Sequence, residues 1–334
     1  MNKLHRIVSL ALVAVSLGVI SLGSITSAAT VSNGGNGLRV SPVRKDDLTI
    51  KPGSTQTVVV TVTNVTSSTA SLQAIINDFT ALAGNETGQP NLILDANQYA
   101  PSHSLKRLVA PIPNFSLAAG QSTNIKVNIS VPANTPGGGY YGAVRFAPSS
   151  TNSDKNVTLS ASVGTLILVK VPGNIREQLS ITSFDVRHGD PNEAKGGSSF
   201  FTTNRSLNGV IRFQNSGDVQ EQPFGKVVLK KGGKILQTSE INNVDPRGNV
   251  LPDSIRRFSV PLTKVGSLGK YTIEGNFGYG SNGQLLSATS TFYVVPILTI
   301  VIVLLVVALL AFLIFGLPRV IKSYNKRILR NARR

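Results

Sequence analysis

Residues 278 to 283, GYGSNG, fit the G-x-G-x-x-G spacing with which a glycine-rich turn brings backbone N–H groups to a dinucleotide pyrophosphate. That chemistry needs a helix after the turn, its N-terminus facing the phosphates. Gln284 to Val294 (QLLSATSTFYV) reads instead as strand, so Ser281-Asn282-Gly283 is expected to be a hairpin turn. Ser267-Leu268-Gly269-Lys270 fits S-x-x-K, in which a lysine activates a serine for acylation. It too leads into a strand, and no S-D-N or K-T-G motif accompanies it.

Between the apolar ends the histidines are His103 and His188. Neither has a second histidine or a carboxylate-rich ligand pattern near it, and His188, between Asp185 and Asp190, reads as a solvated loop residue rather than a metal ligand. Paired carboxylates could hydrolyse glycosides, but nothing singles out a pair among the 16 scattered acids. No catalytic, cofactor-binding or metal site is therefore expected. Cysteine is absent, which removes disulfides, thiolate metal sites and a cysteine-linked lipid anchor.

A third motif, TPGGGYYGAVRF (residues 135–146), poses a sharper choice between a glycine-rich ligand loop and the entry to a buried strand. Its pattern recurs. Gly138 precedes Tyr140, Gly142, Val144 and Phe146 on one strand face, as Gly269 precedes Tyr271, Ile273, Gly275 and Phe277. VTVTNVTSSTA (60–70) and VIRFQNSGDVQ (210–220) match likewise, each an alternating strand that ends in Asn and a polar turn. A late-strand tyrosine whose hydroxyl ties down a loop is a β-sandwich device, so the glycines serve the turn and both tyrosines are expected to be largely buried. Tyr141 and Arg145 then share the outer face. With no tryptophan to stack on sugar rings, Tyr141, Arg145 and Tyr99 in a long loop are the candidate ligand-binding residues, against the plainer reading of amphipathic surface.

The elements that would carry these residues are strands. Asn124 to Val131 alternates cleanly, and Thr57 to Thr63 does so apart from Val59. Turn signals KPGS, AAGQ, KKGG and GSNG punctuate the chain. The fold class expected is all-β: two tandem immunoglobulin-like sandwiches at 38–172 and 173–293, after a flexible leader at 30–37. Polar excursions at Thr80–Pro113 and His188–Ser206 are long enough to be functional or disordered insertions. The sequons at Asn64, Asn85, Asn114, Asn128, Asn156 and Asn204 matter only in a host that glycosylates asparagine.

The ends read as membrane signals. Residues 1–29 have a basic start, an apolar stretch and small residues Ser27 and Ala29, as in a secretory signal peptide cleaved near Ala29; an uncleaved anchor is the alternative. Val294 to Leu317 is free of charge, with 19 of its residues Ile, Leu, Val or Phe, and is long enough to span a bilayer. The tail 318–334 carries seven Lys/Arg and no acid, which places it in the cytoplasm and residues 30–293 outside. After Pro318 a new amphipathic segment, with Ile321, Tyr324 and Ile328 on one face, could lie along the inner membrane surface, or the charges could only fix orientation.

Of the 33 Lys/Arg, two lie in the signal and seven in the tail, leaving 24 against 16 acids, a surplus of eight outside. It is spread thinly and lacks clustered aromatics, which excludes a nucleic-acid groove and leaves a modest attraction to anionic envelope polymers.

Two stretches, LRVSPVRKDDLTIKPGSTQTVVVTVTN and FSLAAGQSTNIKVNISVPANTPGGGYYGAVRF, resemble the domain of unknown function 916, the domain linked to peptidoglycan binding in bacterial WxL-interacting surface proteins. The order of signal, two Ig-like domains, membrane helix and basic tail agrees with it. The resemblance implies a single-pass cell-surface protein that binds cell-wall glycan non-catalytically through its first domain, with protein partners for the second. The rival expectation is a structural or assembly subunit of a surface complex that contacts only proteins.

Overall fold

The structure, a computed structural model, describes residues 37–149, 162–190 and 197–331, with backbone only from 326 onward. The signal peptide, residues 30–36 of the leader, the Asn156 sequon and the last tail residues lie outside the described residues. The described chain is predominantly β and ends in a helix.

Nine strands come first: β1 (Leu38–Ser41), β2 (Arg44–Thr49), β3 (Thr55–Asn64), β4 (Ala70–Ala81), β5 (Pro90–Leu92), β6 (Phe115–Leu117), β7 (Ser122–Ser130), β8 (Gly138–Pro148) and β9 (Val163–Val171). They form a sheet of order β1-β3-β7 and another of order β2-β9-β8-β4-β5, with β6 on β4. Alternation decides which face is buried. Val58, Val60 and Val62 of β3 and Val127 and Ile129 of β7 meet Leu72, Val144, Phe146, Ile167 and Val169 in one core. Val59, out of phase, stands in solvent. Fully burying each such valine stabilises the fold by about 1.5–3 kcal/mol. The KPGS turn entering β3 closes through the Ser54 N–H on the Lys51 carbonyl, with Gly53 at φ +78°, where a side chain would be strained.

Eight strands follow: β10 (Leu179–His188), β11 (Phe200–Phe201), β12 (Leu207–Asn215), β13 (Phe224–Lys231), β14 (Lys234–Ile241), β15 (Ser254–Pro261), β16 (Gly269–Tyr279) and β17 (Gln284–Val294). Their sheets, β10-β12-β15 and β11-β17-β16-β13-β14, enclose a second core in which Phe213 meets Phe277 edge-on at 5.2 Å and Tyr271 stacks on Phe292 at 5.4 Å. Among the described residues no ladder joins a strand of the first nine to one of the last eight.

The recurrent glycine-tyrosine pattern is visible in the backbone. Gly138 and Gly269 adopt φ +153° and +144°, and each sits two residues before a tyrosine whose hydroxyl donates to a nearby carbonyl: Tyr140 to Pro136, Tyr271 to Leu268. The two rings differ in burial. Tyr271 is sealed in its core, whereas Tyr140 is only half-buried, contrary to expectation, because its ring forms the wall of a surface hollow. GYGSNG is a hairpin turn joining β16 to β17, with Gly280 and Gly283 at positive φ.

The C-terminal helix starts three residues later than the apolar run does, because β17 keeps Val294. It comprises α1 (Ile297–Ala311), a π-helical turn (Phe312–Gly316) and α2 (Leu317–Asn331) without interruption. A helix does run past Pro318, which lies in the first turn of α2, and it is continuous with the apolar span. The wide turn, in which the Leu317 N–H reaches the Phe312 carbonyl, precedes the proline, and the Arg319 guanidinium bonds the Phe315 carbonyl. Residues 297–325 are long and apolar enough to cross a membrane.

Candidate functional site

The excursion at 80–113 is held by two buried polar residues at the end of β4. Asp78 accepts the backbone N–H of Ala100 through one carboxylate oxygen (2.9 Å) and that of Lys106 through the other (2.8 Å). Asn77 donates to the Ile93 carbonyl. A buried carboxylate that accepts two backbone N–H groups fixes a loop with little freedom. Where β4 parts from β8, residues 103–104 take its place: the Tyr141 N–H bonds the His103 carbonyl, and Ser104 bridges to Tyr141.

That loop and the TPGGG turn enclose a hollow of about 420 Å³. His103, Ser104, Arg107, Gly138 and Tyr140 are on its walls. His103 holds φ +61°, uncommon for a residue with a side chain, and its Nδ1 contacts the Gly139 carbonyl. A carbonyl only accepts, so Nδ1 carries the proton. The buried Ser104 hydroxyl has no hydrogen-bond partner among the described residues. Among the described residues no carboxylate lines the hollow, and Arg107 is its charged residue.

The structure places the three expected ligand residues differently. Tyr99 is exposed, and its ring lies beneath Lys106 and the hollow's own Arg107, at 4.6 and 4.8 Å from the centroid, so it extends the rim. Tyr141 does face away from the first core, as alternation requires, but the face is covered: it is 3% exposed, packs with Phe79 and Leu168 under Leu251, and donates to Gln220. Burial pushes its phenol well above the ordinary range. Arg145 is half-buried and bonds Asn77 and Ser162, tying strands rather than facing a ligand. The Tyr141 ring is thus covered within the chain, and Arg145 uses two of its donors to hold neighbouring residues. The glycines do border a cavity, and His103 and Tyr140 are the residues the sequence reading missed. His103 has no motif in sequence, because its partners come from the TPGGG turn about 36 residues away.

The covered face belongs to a seam between the two strand groups. Glu86 reaches from the long loop onto β15: its carbonyl accepts the Arg257 N–H, and its carboxylate meets Arg212 at 2.6 Å and Arg257 at 3.3 Å. Lys170 pairs with Glu177 at 2.6 Å, and Asp46 accepts from Gln222 and Asn249. Glu221, also in the seam, is 3% exposed. One of its oxygens accepts the Gly280 N–H and the other has no partner among the described residues. Burial, reinforced by the Glu177 carboxylate, pushes its acid up to about 7.

No protein-family model and no curated protein matches the chain. Solved structures do resemble it weakly. The class 5 fimbriae chaperone CfaA matches with a TM-score of 0.37 and 14% identity over 78% of this chain and all of that one. The Escherichia coli chaperone DraB gives 0.32 and 17% over 77% of this chain and 96% of that one. A CsuC–CsuE chaperone–tip subunit complex of Acinetobacter baumannii gives 0.34 and 14% over 75% and 97%.

Proposed function

We propose that the chain is a non-catalytic, membrane-tethered surface protein of the WxL-interacting type, with tandem Ig-like sandwiches at 38–172 and 173–293, that binds cell-wall glycan. The 420 Å³ hollow of the first strand group carries this reading. It offers Tyr140 as an aromatic wall, Arg107 as a cation for a carboxylate, the His103 ring as a polar group, and close backbone approach at Gly138. A few convergent polar groups beside an aromatic surface suit a carboxylate-bearing sugar such as peptidoglycan supplies.

Cosedimentation of the detergent-solubilised chain with insoluble peptidoglycan tests it. Binding that Arg107→Ala and Tyr140→Ala each weaken about tenfold, in a chain that still unfolds cooperatively, supports the site. No binding, together with a protein partner captured from envelope extracts, favours the assembly-subunit reading.

A further inference from the structure

Strand register fixes which end of the second strand group faces the membrane. β17 ends at Val294, and Val295 and Pro296 alone separate it from α1, a gap of at most about 11 Å. Val294 pairs with Gly269 at the start of β16 and with Phe201 of β11, and Lys230 of β13 pairs with Thr272. The Leu262 N–H bonds Leu207, bringing the 262–268 loop to the same end, and Asn204 ties its own loop to Val265. The Gly232–Gly233 turn, the 262–268 loop and the 202–206 loop thus share one rim with the root of the helix.

The rim is basic. Arg205, Lys231, Lys234, Lys264 and Lys270 are all exposed on it. Asp190, in the loop after β10, is the described acid nearest this end, and it also interacts with Arg257. Apolar side chains stand among the cations: Phe200 and Leu268 are half-exposed, and Tyr293 lies beneath Lys270. Lysines mixed with aromatic and aliphatic tips match the region where headgroups meet acyl chains.

We propose that this rim is a bilayer-contact surface, its lysines seated among the phosphates of anionic headgroups and Phe200 and Leu268 at their base. The proposal rests on the helix spanning a membrane. It does not depend on which side the strands occupy.

The test uses the full chain in lipid nanodiscs made with and without phosphatidylglycerol. A membrane-impermeant amine reagent labels lysines, and mass spectrometry reads each site. Labelling at Lys231, Lys234, Lys264 and Lys270 should slow about threefold or more in the anionic discs and recover at high salt, while Lys51 and Lys126 stay unchanged. Equal rates in the two disc types overturn the surface, as does slowing that includes Lys51 and Lys126. Alkaline extraction of membranes expressing the chain tests the anchor separately: release means the helix is not embedded, whereas retention with unaltered labelling sinks the contact surface alone.

Discussion

Asn64 and Asn215 perform the same task at the same point of the two strand groups. Each ends a strand, is fully buried, donates its amide to the carbonyl four residues on (Ser68, Val219) and accepts the backbone N–H two residues on (Thr66, Gly217). Each then reaches a second loop, Asn64 to Leu117 and Ala118, Asn215 to Val250. Replacing either with Ala strands several backbone groups and should cost about 2–5 kcal/mol. Asp keeps the acceptor but loses the donors, so it should rescue little. Urea unfolding of the solubilised chain measures both, and a cost below about 1 kcal/mol for Ala would mean that the loops close without the amide.

The two strand-entry tyrosines should separate on truncation. Tyr271→Ala opens a cavity in a sealed core and should cost about 3–5 kcal/mol. Tyr140→Ala removes a half-buried ring and should cost about half as much. Equal losses would mean that Tyr140 is as much a core residue as Tyr271.

Glu221 makes stability depend on pH. Its folded acid titrates near 7, above an ordinary glutamate near 4.5, so the folded state binds more protons between those values. Stability from this group is therefore full below pH 4.5 and is lost as pH rises towards 7. Glu221→Gln stays neutral and should raise unfolding free energy at pH 8 by about 1–3 kcal/mol while changing it little at pH 5. The difference between the two chains, read from urea midpoints at both pH values, isolates this residue. A constant difference would mean that Glu221 is not the titrating group.

The reach of Glu86 onto β15 can be tested by a double-mutant cycle. Glu86→Ala leaves Arg212 and Arg257, 11% and 7% exposed, with less compensation and should cost about 2–4 kcal/mol. Glu86→Ala combined with Arg257→Ala should show a coupling of about 1–3 kcal/mol. Gly88→Val should act through shape, since a Cβ there would come within 2.4 Å of the Arg256 guanidinium at φ +82°. Additive energies in the cycle would show that the loop lies on β15 without being bound to it.

Much of the fold was legible because its signals are local. Val58, Val60 and Val62 share one face with only Val59 out of phase, and GYGSNG is followed at once by strand residues. The two buried asparagines were visible as strand-ending residues, although their amide bonds were not. The candidate site was harder, because it is built from long-range pairs. Alternation gave the direction of Tyr141, but Leu251 and Gln220, which cover and bond it, lie about 110 and 79 residues away. His103 looked solitary for the same reason, and the loop around it is shaped by Asp78, which no motif marks. Pro318 looked like a break because a wide turn can absorb a proline without any sequence signature.

The short passage from β17 into the helix also determines how the molecule would respond to tension. A pull on the first strand group enters the second through β10, at the end remote from the helix, and leaves it along β17. β17 would then be drawn lengthwise past β16, to which eleven residue pairs hold it. Its hydrogen bonds would be loaded together rather than opened one after another from an end. A strand group mounted this way would resist being pulled from the helix by the shear strength of a whole ladder, while a hairpin peeled from its tip would yield bond by bond.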